Sequence, residues 1–304
     1  MAFPTSTGKP YRAIVYIMLS GGSDSFNMLA PYSCSKGKDL YQEYQDVRKQ
    51  VAMTKATLLP IESGTEQVCE TFGVHYELPV VRDLYNQGDL LFFANTGVMS
   101  KPVDKTNYNS LTNVQLFAHN HMQQESKRVD PYDHADGTGI LGRISDVLTK
   151  LGHNVGSFSI DRFSVALVGK AGVTDAPMIV GRNGIQESKM GEIADIFSLL
   201  HNKTDSKSGF FAESWSSTLM ESLTINRLLR EELENVTTST TFPEDNYLAS
   251  QLKTVTRLIA TRKERGVDTD TFYVEMGGKI YELLRLFQIF LFLRLTRMSS
   301  FLRL

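Results

Sequence analysis

Four short apolar runs, "AIVYIML", "LLFFANT", "FSVALVG" and "DTFYVEM", constrain the fold most. Each is about the length of a buried strand, and each is rich in β-branched, aromatic or other apolar residues. Helical patterns lie between them. "LPVVRDLYNQG" reads as a helix closed by a glycine, and "SWSSTLMESLTINRLLREELEN" has helix-forming composition. "NYLASQLKTVTRLIATRKERG" sets Leu248, Leu252, Val255 and Leu258 at spacings of four, three and three, one apolar helix face that ends in basic residues and a glycine. This alternation predicts an α/β protein with a parallel or mixed sheet covered by helices.

A chain of 304 residues holds one large α/β domain or two smaller ones. Apolar residues at 41% and charged residues at 22% exclude a disordered or collagen-like chain. The net charge of -2 provides no electrostatic footprint for nucleic acid or an anionic membrane. Cys34 and Cys69 are too few for a disulfide framework or a set of zinc thiolates; one bridge and two free thiols both remain open. The start "KPYRAIVYIMLSGG" superficially has the layout of a signal peptide, but Ala13 to Leu19 fits a buried strand better, so no export signal is expected. Asn202 and Asn235 sit in glycosylation triplets, which are common by chance.

Ligands of open α/β sheets bind beyond the carboxyl ends of the strands. After the first run comes "SGGSDSFNMLAPY", where two glycines allow a tight turn and Asp24 presents a carboxylate; Asp24 or Ser25 would serve equally as a helix cap. The glycine spacing fits neither a dinucleotide nor a phosphate loop. Residues 98 to 139 form an irregular polar stretch with His119, His121, Asp130, Asp133, His134 and Asp136. Such oxygen and imidazole ligands suit zinc, manganese or magnesium, although a solvated loop explains any single member. Ser20, Ser23 and Ser25 have no neighbouring base in sequence, and His75 sits where a loop enters a helix.

Taken in order, "GGSDSFNMLAPY", "FGVHYELP", "GDLLFFANTGV", "QLFAHN" with its glutamines, "GTGILGRISDVL", "QLKTVTRLIATR" and "FYVEMGG" resemble domain-of-unknown-function family 1501, a sulfatase-like branch of the alkaline phosphatase superfamily. The match covers about residues 10 to 278. The resemblance implies a three-layer α/β/α sandwich, a single domain over residues 1–278, and metal-dependent hydrolysis of phosphate or sulfate esters, with a small-molecule ester or a sulfated or phosphorylated glycan as substrate. Zinc, manganese, magnesium or calcium would be the divalent metal. It implies Asp24 and His119 as metal ligands, with Asn27, Asn120 and Arg143 in the site loops or against an anion. Arg143 would orient an anionic group or pair with a scaffold carboxylate. Ala118 replaces the family's serine, and His121 and Met122 stand where it has one aspartate.

In the family the Gly-Gly strand is followed by an aromatic residue, an Asp and a His, and later by Asp-His-Gly. Here Gly278 leads into Lys279, and residues 279 to 304 hold eight Leu, four Phe and four Arg. Arg285 and Arg294 fall on opposite helix faces, and the longest uncharged run, Leu286 to Leu293, is eight residues against the ~20 a bilayer needs. The expectation is an aberrant tail after a scaffold whose C-terminal part is missing, no transmembrane span, and weak or absent hydrolase activity. The alternative function is a non-catalytic binding or structural protein on the same scaffold.

Overall fold

The computed structural model describes residues 3–20, 24–64, 66–94, 96–116, 118–133, 137–185, 199 and 210–277. Ser23, His134, Asp136, Asn202 and the tail from 279 to 304 lie outside the described residues. The elements in chain order are β1 (Arg12–Ser20), α1 (Ser25–Met28), β2 (Leu29–Ser33), α2 (Leu40–Arg48), β3 (Leu58–Glu62), β4 (Thr71–His75), α3 (Pro79–Asn86), α4 (Tyr108–Leu111) and α5 (His119–Arg128). Then follow α6 (Ile140–Lys150), β5 (Val155–Ile160), β6 (Met178–Val180), α7 (Phe210–Glu234), α8 (Tyr247–Ala260) and β7 (Thr269–Gly277). The chain is mixed α/β and divides into two compact units, one of Met1–Met18 with Ser100–Met276, the other built on Leu19–Met99.

The first unit holds a sheet of order β1-β7-β5-β6, in which β5 runs parallel to both β6 and β7. The runs "AIVYIML" and "DTFYVEM" form β1 and β7 as expected. Phe272, Tyr273 and Val274 are fully buried, and Phe158 stacks on Phe272 at 5.6 Å between ring centroids. Burying each such side chain contributes about 2 to 3 kcal/mol. Tyr273 faces α6 in a cluster with Leu141, Ala166 and Leu167. On that same face Thr271 exchanges hydroxyl hydrogen bonds with Ser145 at 3.3 Å and Ser157 at 3.0 Å. α8 buries Leu248, Leu252, Val255 and Leu258, and the Asn246 side chain caps it by accepting from Ala249 N at 2.9 Å.

Two expected strands do not form among the described residues. "FSVALVG" forms a turn of 3-10 helix, Val165–Leu167, with Ser164 Oγ accepting from Ala166 N. Its Ala166 and Leu167 pack with Leu141 of α6. Two glycines permit that approach: a Cβ on Gly139 would come within 2.0 Å of Val165 O, and one on Gly142 within 2.0 Å of Val168 O. "LLFFANT" joins no sheet among the described residues. Leu90 and Phe92 pack into a core cluster, while Leu91 and Phe93 stay exposed, so an alternating pattern occurs without a ladder. The polar stretch from 98 to 139, expected to be irregular, contains α4 and α5.

The second unit is an antiparallel sheet of order β2-β4-β3, unannounced by any long apolar run. β2 and β3 contain Pro31 and Pro60, which edge strands tolerate and central strands do not. In central β4, Gly73 admits Leu58, whose Cβ would lie 2.7 Å from an added methyl. α2 and α3 cover the sheet, burying Tyr41 and Tyr44, and Val81 and Leu84 respectively. α3 and its closing Gly88, at φ 75°, match the sequence reading. Cys34 and Cys69 are joined in a disulfide across 35 residues, which resolves the open cysteine question.

Candidate functional site

Asp24 stands four residues past the end of β1, at the N-cap position of α1, yet its side chain makes no cap hydrogen bond. Its Oδ2 instead forms an ion pair with Arg48 and accepts from Asn27 Nδ2 at 2.9 Å. Asn27 is itself fully engaged: Nδ2 also donates to Val51 O at 3.0 Å, and Oδ1 accepts from the Tyr44 hydroxyl at 2.6 Å. Met53 N donates to that same hydroxyl at 2.7 Å. Burial, ahead of the nearby charges, pushes the Tyr44 phenol up. The Arg48 guanidinium also lies over the Phe26 ring, 5.7 Å from its centroid. Asp24 and Asn27, both read from the sequence as site residues, therefore share one network, and its organising cation is Arg48.

That network bears on the metal the resemblance implies. A guanidinium on the Asp24 carboxylate occupies the place a divalent cation would take, and the two positive charges repel. Asn27 Oδ1 is already bonded to a phenol. Among the described residues no three His, Cys, Asp or Glu side chains gather into a metal-binding group. The donors around Asp24 thus do not fit a divalent ion in this arrangement.

His119 and Asn120 open α5, in the other unit, and both are exposed. With Ala118 at the N-cap there is no side-chain cap on that helix. His121 Nδ1 accepts from Gln115 N at 3.3 Å, and Asp130 Oδ1 accepts from the backbone of Tyr132 and Asp133, both at 3.2 Å. Arg143 braces the far end of α5. Its Nη2 donates to Arg128 O at 2.6 Å and Val129 O at 3.3 Å, and its Nη1 to Thr138 Oγ1 at 3.1 Å. Val129 holds a positive φ of 53° there, and the guanidinium serves backbone carbonyls rather than a carboxylate. His75 Nδ1 accepts from Glu77 N at 3.2 Å, the ring stacks on Tyr76, and burial holds its pKa down.

A further cluster, missed in the sequence, sits at the carboxyl end of β7. Glu275 Oε2 meets Lys127 Nζ at 3.1 Å and accepts from the Tyr273 hydroxyl at 2.5 Å. Gln251 pins the Glu275 backbone from both sides, its Nε2 donating to the carbonyl at 2.8 Å and its Oε1 accepting from N–H at 3.2 Å. Tyr16 stacks on Tyr273 at 5.7 Å and donates to Ser126 O at 2.9 Å. Burial and the Glu275 carboxylate keep the Tyr273 phenol protonated far above its usual range. The result is a largely buried, charge-balanced cluster that ties α5 to β7. A single acidic residue inside the otherwise apolar "FYVEMG" was its only trace in the sequence.

No family model, curated protein or solved structure matches the chain.

Proposed function

We propose that the chain is a sulfatase-like protein of the alkaline phosphatase superfamily, on a three-layer α/β/α sandwich, that turns over phosphate and sulfate esters weakly or not at all. The ordered motifs and the α/β architecture with its parallel strands support the first half of this reading. One observation carries the second: the carboxylate of Asp24, the residue that the resemblance implies as a metal ligand, is held by Arg48 and Asn27. Paired metals in that chemistry polarise the ester and stabilise the leaving oxygen, and a ligand already neutralised by an arginine contributes poorly to either task.

The second reading is a metal-dependent hydrolase of such esters, favoured by the place of Asp24 directly after the first strand. The two separate in one assay. The chain is dialysed, its zinc, manganese, magnesium and calcium contents are measured, and rates on p-nitrophenyl phosphate and p-nitrophenyl sulfate are compared with those of Asp24→Asn as each metal is added. Equal rates and no retained metal are expected. Retained metal, with turnover that the Asp24→Asn variant loses, would establish the hydrolase instead.

A further inference from the structure

The last turns of α7 have an inner and an outer side. Leu229 and Leu233, four residues apart on one helix face, are buried, and Arg257 Nη2 of α8 donates to Leu233 O. Asn235 comes two residues after Leu233, about 200° further round the helix axis, and is exposed. Val236 N donates to Leu233 O at 3.2 Å, and the chain then runs without helix or strand through residues 236–246 to α8.

The triplet Asn235-Val236-Thr237 therefore stands at a surface turn, with Asn235 and Thr237 both exposed and no proline between them. A glycan acceptor needs those features, an amide open to the outside and a hydroxyl residue two positions on. Asn235 Nδ2 donates to Glu231 O at 3.0 Å, which takes one of its two N–H groups. The cysteines supply a second, independent observation. Both cysteines of the chain, Cys34 and Cys69, are joined in one disulfide, and such bridges form and persist in oxidising compartments, along the route on which asparagine glycans are added. Ala13 to Leu19 are kept in β1 rather than removed as a leader, so entry to that route would use other sequence.

We propose that Asn235 carries an N-linked oligosaccharide. Asn235 Nδ2 takes the sugar from a lipid-linked oligosaccharide diphosphate. Its bond to the anomeric carbon forms as the bond from that carbon to the diphosphate oxygen breaks, the lipid diphosphate leaves, and Nδ2 gives up one proton. One N–H remains on Nδ2, enough to serve Glu231 O. The sugar leaves the fold on the side away from buried Leu229 and Leu233, so the packing of α7 is untouched. The site uses neither ester turnover nor Asp24, and the two readings fail separately.

The test is peptide mapping of the full chain isolated from its source. The protein is treated with peptide N-glycosidase in heavy-oxygen water and digested with trypsin. Loss of one oligosaccharide from the peptide Glu231–Lys253, with a heavy-oxygen aspartate at position 235, is expected. The variants Asn235→Gln and Thr237→Ala, made in the same cells, should lack that sugar. Thr237→Ala keeps the asparagine and removes only the hydroxyl, so label that persists in it would mark spontaneous deamidation. A bare Asn235 in the untreated peptide, a mobility drop on deglycosylation that survives in Asn235→Gln with that peptide bare, or label retained in Thr237→Ala would overturn the proposal.

Discussion

Arg265 and Asp270 form a two-pronged ion pair out of reach of solvent, Nη1 to Oδ1 at 2.9 Å and Nη2 to Oδ2 at 2.5 Å. The Tyr11 hydroxyl donates to the same carboxylate at 2.6 Å, and Arg265 Nη2 also donates to Leu258 O at 2.8 Å. The pair thereby joins the N-terminal segment, the end of α8 and the start of β7. Removing one partner strands the other charge in a dry interior, at a cost of about 3 to 5 kcal/mol. Asp270→Ala should therefore lower the urea-unfolding free energy by roughly that much. A loss below about 1 kcal/mol, the range of an exposed pair, would show that the pair is dispensable.

The approach of residues 165–168 to α6 depends on the missing side chain of Gly142. Its added methyl would overlap backbone, which cannot swing aside, at 2.0 Å from Val168 O. Gly142→Ala should cost about 3 kcal/mol or more, whereas Gly64→Ala, with nothing within 4 Å, should leave the melting temperature nearly unchanged. Similar melting curves for the two variants would contradict this packing.

Closing a loop across 35 residues restrains the unfolded second unit. Replacing both Cys34 and Cys69 by serine should reduce its stability by roughly 2 to 4 kcal/mol. Parent protein heated with excess dithiothreitol should melt like that double variant. Equal melting of the parent with and without reductant would show that the bridge stabilises nothing.

Burial raises the Tyr11 and Tyr273 phenols well above the ordinary value of 10.0, with Asp270 and Glu275 respectively adding to the shift. A folded-state pKa above the unfolded one means that the native state holds its proton longer. The stability this contributes is complete below about pH 10 and is lost as pH rises from there toward the folded values. Stability should fall steeply above about pH 10, with delayed phenolate absorbance at 295 nm. Tyr11→Phe should blunt the fall; an unchanged alkaline limb in that variant would remove Tyr11 from the account.

Where one segment's own pattern decides its structure, the fold was legible. β1, β7, α3 and α8 follow from runs or periodicities in "AIVYIML", "DTFYVEM", "LPVVRDLYNQG" and "NYLASQLKTVTRLIA". β5, "VGSFSI", was missed because it interleaves glycine and serine with its apolar residues, the Ser157 hydroxyl serving a polar seam beneath α6. "LLFFANT" has the composition of a strand but no partner strand among the described residues, a property no local pattern reveals. Of the site, Asp24 and Asn27 were legible as neighbours in sequence. Arg48, which governs them, lies 24 residues away, and Lys127 is 148 residues from Glu275. Pairings over such distances are set by the packing of whole elements, and only the fold discloses them.

The prolines of the second unit's sheet act beyond that unit. Among the described residues Pro31 and Pro60 fall on its two outermost strands, so each outer strand lacks an N–H at one position and carries a rigid ring there. A second chain trying to extend the sheet at either side would find its row of hydrogen bonds broken. This small sheet is thereby a poor template for strand-by-strand growth into fibres, a protection built into the residues that made its strands hardest to read.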